Sequence, residues 1–344
     1  MGIPKILIIG CGAVGLSQGY HLSFGAEITY LVRPGRTSAF QSPKKLYDYK
    51  DNALRIFDNY RVIESPSEVT GEDFYCILDT MDGFTARSEG GMSTLKAVGE
   101  LICNHPTTFV AYSAIGLDMT DHYVNTMGIQ RERLTLVGSM LAHQPTKSIP
   151  LPESADANLA AQADILYSYN RGNYGLIVFN SQAKLTKALG EVYSRHEKLR
   201  IQTVPGFVGS SGTLVGTLQL ISWGIDGFQP FEHFRNNKGL WNLMLQAQRE
   251  ILTLSRFGLM GWLLSWLIGS WATVKMIVGP IDSALPLHYH IFNAFHHGGK
   301  VIKQDLKVLE DLVVEGQSEG HVMVALSEII RMAEEHVAKR LPSS

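Results

Sequence analysis

The chain begins with an uninterrupted apolar run, Lys5-Ile6-Leu7-Ile8-Ile9, that passes directly into Gly10-Cys11-Gly12-Ala13-Val14-Gly15. A short apolar run without alternation predicts a strand buried on both faces, as in parallel sheets. Residues 15–24 then read as a helix stopped at Gly25, and Ile28-Thr29-Tyr30-Leu31-Val32 supplies a second strand. Strand, glycine turn, helix and strand in this order predict the opening of a Rossmann-type parallel sheet. Further strands are predicted over 74–78, 108–112, 134–140 and 174–179, with a helix over 92–102. The polar, proline-bearing stretch 145–160 reads as a surface connection.

Beyond residue 206 the rhythm turns helical, with helices predicted over 212–221, 240–257, 301–314 and 321–339. Ile302, Leu306, Leu309 and Val313 make one apolar stripe, and Lys303 and Asp305 flank it, both placed to reach a cleft. The expected plan is a Rossmann-like domain over 1–204 followed by a mostly helical domain over 205–344, which takes substrate and offers a dimer contact. Segment 257–274 has no charge and carries Trp262, Trp266 and Trp271. It is borderline for a bilayer span, which needs about 20 residues. A buried helix or subunit interface is the first expectation, and membrane contact the second.

Composition narrows the partners. Thirty Lys plus Arg against 32 Asp plus Glu give a net charge of -2, so no broad positive field awaits nucleic acid. Small molecules and a second copy of the chain are the expected partners. Cys11, Cys76 and Cys103 have no metal or redox spacing, which suits a reducing compartment without structural disulfides. The chain enters its first strand without a secretory pattern, so a cytoplasmic location is expected.

The strongest candidate chemistry lies at the first turn. Gly10 suits a tight turn, Gly12 leaves room for a pyrophosphate, and Gly15 lets helix and strand approach. Backbone N–H groups at the helix start suit phosphate charge, so Gly10, Cys11, Gly12, Ala13, Val14 and Gly15 form a candidate cofactor site. Arg33 and Arg36 follow the second strand, where a guanidinium can pair with a 2′-phosphate; NADP is therefore expected over NAD, with a solvated basic turn as the alternative. Ser113 follows a strand at the edge where such sheets meet ligands, and residues 79–82 occupy the equivalent edge of the preceding strand.

These features resemble the ketopantoate reductase (2-dehydropantoate 2-reductase) family over most of the chain. The likeness rests on the opening through Gly15, including Cys11, on Arg33, and on the segment from Gly298-Gly299-Lys300 through Asp305 to Gly316 and Gly320. It implies an NADP-binding sheet domain, a helical domain, and reduction of a 2-keto acid by hydride transfer. The chain departs from the pattern where the chemistry is expected. Ser113 stands for the family's asparagine, Met81 or Asp82 for a lysine, and Lys303 for its glutamate, while residues 206–221 contain no lysine. Lys303 and Asp305 are the candidate catalytic pair. His288, His290, His296 and His297 lack the spacing of a metal site, yet one of them is a candidate proton donor. The expected function is an NADP-dependent reductase or dehydrogenase on a ketone/alcohol pair. The alternative is a noncatalytic NADP-binding regulator.

Overall fold

The computed structural model describes residues 2–196 and 198–340, and the chain divides into two compact units. One holds the residues up to Ala114 with Asp118–Phe207 and Ser283–Leu287; the other holds Ile115–Leu117, Val208–Asp282 and the residues from His288 onward.

The first unit is built on strands β1 (Lys5–Ile9), β2 (Glu27–Leu31), β3 (Lys44–Asp48), β4 (Ala53–Phe57), β5 (Arg61–Ile63), β6 (Cys76–Asp79), β7 (Phe109–Tyr112), β8 (Leu134–Ser139), β9 (Leu141–His143), β10 (Ile165–Ser168), β11 (Tyr174–Asn180) and β12 (Arg200–Pro205). The larger sheet has the order β12-β11-β8-β7-β6-β1-β2-β5. From β5 to β8 every pairing is parallel, and β11 turns antiparallel to β8. Strand order therefore reverses between β1 and β6, where doubly wound sheets bind ligands at the carboxyl ends of their strands.

The unbroken apolar run of β1 is explained by two-sided burial. Ile6 and Ile8 join one core with the helices Ala13–Leu22 and Ala183–Tyr193, while Leu7 and Ile9 join another with the helices Glu89–Ile102 and Met119–Met127. Helix Ala13–Leu22 packs on β1 and β11 of the large sheet and on β9 and β10 of a second sheet, ordered β4-β3-β10-β9. That double packing buries even its polar residues Ser17, Gln18 and His21. Gln18 is satisfied, donating to the Gly175 carbonyl at 2.8 Å and accepting from the Tyr193 hydroxyl. Among the described residues His21 has no partner on either ring nitrogen, and burial holds it well below the usual histidine range.

The second sheet is absent from the pattern of apolar residues. Its core is tyrosine-rich with each hydroxyl tied to a polar group: Tyr49 to His143 at 3.0 Å, Tyr167 to Asp48 at 3.3 Å, and Tyr47 to Asn52. Burial pushes Asp48 up to about 6. Stretch 145–160 is a connection, as expected, apart from one helical turn at Ala157–Ala160.

The second unit is helical. Gly206–Ile225, Lys238–Leu252, Ile302–Ser318 and Val324–Arg340 pool Leu218, Met244, Ile251, Leu309, Leu312 and Ile329 into one core. The Glu250 carboxylate accepts from the N–H groups of Ala325 and Leu326 and caps the last helix. Along Ile302–Ser318 the most buried line runs through Asp305, Leu309, Leu312 and Gly316, rotated from the predicted stripe. Asp305 is fully buried and Lys303 exposed, so the two do not share an accessible face.

The tryptophan segment departs from the buried-helix reading alone, and leaves subunit interface and membrane contact as its alternatives. It forms two short helices, Gly258–Leu267 and Ser270–Ala284, bent by 99°, and its large side chains are exposed rather than buried. No single helix among the described residues is long and apolar enough to cross a membrane. Cys11 and Cys76 are buried and Cys103 is exposed, contrary to the apolar setting expected for it; all three thiols are free.

Candidate functional site

In the first unit, register sets the site. Ile9 pairs with Asp79 and Asp79 with Tyr112, so Gly10, Thr80 and Ser113 emerge side by side at the carboxyl ends of β1, β6 and β7. Gly10 has φ +95°, a conformation side chains resist. A Cβ at Gly15 would lie under 3.0 Å from the Gly10 carbonyl oxygen, so helix and strand meet there in a way only glycine permits. Gly12 is the opposite case: nothing lies within 4 Å of the space its Cβ would fill. It is also the N-cap of helix Ala13–Leu22, and no side chain caps that helix. First-turn N–H groups are thus left to an external acceptor. The turn fits a dinucleotide pyrophosphate, with room at Gly12 and backbone donors at Ala13 and Val14. Cys11 takes no polar part; burial pushes its thiol up to about 12.

Thr80, which sequence reasoning missed, buttresses the turn by donating to the Ile9 carbonyl at 2.8 Å. Ser113 is turned back, its N–H and its hydroxyl each donating to the Asp79 carbonyl at 3.1 Å. Beneath them the Asp79 carboxylate is fully buried, accepting from the Met81 N–H at 2.8 Å and from the Tyr123 hydroxyl. Burial outweighs those bonds and raises Asp79 to about 7. A buried carboxyl at the carboxyl end of β6 left only one trace in the sequence, an Asp closing an apolar strand.

Arg33 and Arg36 are both exposed on the turn after β2. The turn is organised by Glu64, also unforeseen, which accepts from the Thr37 hydroxyl at 2.6 Å and the Thr37 N–H at 2.9 Å. The Thr37 hydroxyl and the N–H groups of Gly35, Thr37 and Arg36 pull Glu64 down to about 2.

In the second unit, the His297 Nδ1–H donates to Asp305 Oδ2 at 2.6 Å, and Gln304 donates to the other carboxylate oxygen at 3.1 Å. A buried carboxylate thereby fixes the ring and leaves Nε2 as its outward nitrogen. His297 lines a small apolar pocket of about 20 Å³ with Ile221, Phe228, Ile302 and His336. His296, beside it, is held well below the usual histidine range, by burial first and then by the charges of His297 and Lys300. The rings of His288 and His290 lie 6.0 Å apart, tilted by 54°, on a separate turn and do not join the pair.

Neither a family model nor any curated protein matches this sequence. Solved structures do match. A 2-dehydropantoate 2-reductase from Geobacter metallireducens GS-15 is 13% identical with a TM-score of 0.66, covering 96% of this chain and 99% of its own. A probable 2-dehydropantoate 2-reductase from Bacillus subtilis gives 15%, 0.65, and the same coverages. A D-mandelate dehydrogenase solved with NADH and anilino(oxo)acetate gives 10% and 0.66, with 97% and 98% covered. The chain therefore has the ketopantoate reductase fold, a Rossmann-like sheet unit with a helical unit, over nearly its whole length.

Proposed function

We propose that this chain is an NADP-dependent oxidoreductase acting on a ketone/alcohol pair, with 2-keto acids the first substrate class to test. The observation that carries the reading is the glycine turn, whose one open position, Gly12, lies at the strand-order reversal between β1 and β6. That the structural neighbours include reductases and a dehydrogenase bound to NADH adds support.

A bound reduced nicotinamide supplies hydride. The remaining work falls to side chains, because a ketone oxygen that gains charge needs a proton. His297 is the proposed donor through Nε2. Asp305, being buried, touches no ligand and acts as a positioning residue that holds the ring. Lys303 is exposed, with no ion pair among the described residues, and is the proposed contact for a substrate carboxylate.

Glu64 favours a second reading for the cofactor alone. Its carboxylate already occupies the N–H groups of the turn that carries Arg33 and Arg36, which suits NAD better than a 2′-phosphate. Fluorescence titration with NADPH and NADH decides between them. Consumption of NADPH with a panel of 2-keto acids and apolar ketones then tests catalysis. Tight cofactor binding with no carbonyl turned over would favour the noncatalytic regulator, and no binding of either nicotinamide would end both readings.

A further inference from the structure

Helix Gly258–Leu267 is built inside out. Its two buried residues are the small ones, Gly261 and Ser265. A Cβ on Gly261 would lie under 3.0 Å from the Leu252 carbonyl oxygen, so the helix backs tightly onto the protein there and turns its bulk outward. Leu259, Met260, Trp262, Trp266 and Leu267, with Trp271 on the next helix, are between 51% and 76% exposed. At about 200 Å² per large side chain they present roughly 800 Å² of apolar surface, beyond the few hundred Å² ordinary on a soluble monomer.

What covers this surface is decided by its polar groups. From 251 to 281 the chain has no acidic residue, and its charges are Arg256 and Lys275. Arg256 is held by Glu315 at 2.8 and 2.7 Å, whereas Lys275 is exposed with no ion pair among the described residues. The indole N–H groups of Trp262, Trp266 and Trp271 likewise find no protein acceptor among those residues. Both nearby serine hydroxyls are engaged: Ser265 donates to the Trp262 carbonyl at 2.7 Å, and Ser270 accepts from Trp241 at 3.0 Å. The patch therefore offers apolar bulk, indole donors and a cation, and its one carboxylate, exposed Asp282, lies at the far end of the second helix.

A second copy of the same patch would double the three indole donors and bring only one carboxylate, Asp282, to meet them. A phospholipid surface supplies what is missing: acyl chains for the side chains, ester and phosphate oxygens for the indoles, and anionic headgroups for Lys275. We infer that the bent pair Gly258–Leu267 and Ser270–Ala284 lies in the interfacial plane of an anionic bilayer and docks the chain there without crossing it.

Flotation of the full chain with phosphatidylcholine vesicles, with and without phosphatidylglycerol, tests this directly. Binding is expected, together with a blue shift of tryptophan emission and its quenching by brominated lipid. Phosphatidylglycerol should strengthen binding, and Lys275→Gln should abolish that increment. The triple variant Trp262→Ser, Trp266→Ser, Trp271→Ser should lose at least about tenfold in partitioning with an unchanged melting curve. Should the triple variant melt early, Trp266→Ser alone serves, its side chain being 71% exposed. A chain that stays out of the floated fraction overturns the inference. So does self-association in sedimentation that the variant abolishes, with no vesicle binding, since a second copy would then be the cover. Neither result touches the proposed oxidoreductase activity.

Discussion

Gly12 and Gly15 lie three residues apart in one turn, yet a methyl group added to each should have opposite consequences. At Gly15 a Cβ would lie under 3.0 Å from the Gly10 carbonyl oxygen, a backbone atom that cannot swing aside. Overpacking of this kind costs about 1–3 kcal/mol, and at about 2–4 °C per kcal/mol for a unit of this size Gly15→Ala should melt roughly 2–12 °C early without any ligand. At Gly12 the space is open and φ is -82°, which alanine adopts freely. Gly12→Ala should therefore melt with the wild type, or slightly above it through a stiffer unfolded chain. Its cost falls on the ligand, because the methyl occupies the space left for the pyrophosphate. Losing one hydrogen bond to a charged group is worth about 1.5–3 kcal/mol, or about ten- to hundredfold in NADPH affinity. Differential scanning fluorimetry and NADPH titration on the two variants separate the effects. Wild-type affinity in a folded Gly12→Ala protein would show that the pyrophosphate does not sit at this turn. An undiminished melting temperature in Gly15→Ala would show that strand and helix are not packed as described.

Arg33→Ala should erase most of any preference for NADPH over NADH, a change of about fivefold to tenfold for one exposed charge contact; an unchanged affinity ratio removes Arg33 as selector. Asp79 takes up a proton on folding because burial lifts it to about 7, so it makes stability fall as pH rises from about 4 to about 7, by at most about 1.4 kcal/mol per unit. Urea denaturation of Asp79→Asn across that window should be flatter than wild type. His21 carries the opposite sign: burial holds it neutral, so stability should fall as pH drops below about 6.5, and His21→Phe should remove that dependence. His297→Ala should lower kcat about 10²- to 10⁴-fold on any substrate found. Asp305→Asn should lower kcat with KM little changed, and an unchanged kcat would deny Asp305 its positioning role.

The parallel sheet was legible wherever a strand was buried on both faces, because burial on both sides demands unbroken apolar runs. β1, β6, β7 and β8 are of that kind, and their positions were expected within a residue or two. β3 and β10 were not expected, since they bury tyrosines whose hydroxyls need polar partners. Asp48 is part of that core even though its residue type suggests a surface, and Asn52 meets Tyr47 from its exposed edge. The expectation that the tryptophan segment is a buried helix fails for a related reason. Hydrophobicity reports that a side chain avoids water, not that the same chain must cover it, and the small residues Gly261 and Ser265 had already marked the inward face.

The site divides along the same line. The glycine turn could be read because its constraints are backbone constraints: a positive φ at Gly10 and a closed approach at Gly15 admit no other residue type. Side-chain chemistry has no such local rule. Lys303 and Asp305 were paired on helical geometry, which treats both as flanks of a stripe; the structure rotates the helix so that Asp305 lies on its buried line. Once buried, a carboxylate must find donors, and His297 and Gln304 are the donors it finds. The histidine adjoining His296 thus gains a fixed tautomer from a residue eight positions away, across the turn of π-helix His296–Lys300 that folds it back. An Asp centred on an apolar helix stripe, just after a histidine pair, is the sequence signal that would have pointed to the dyad.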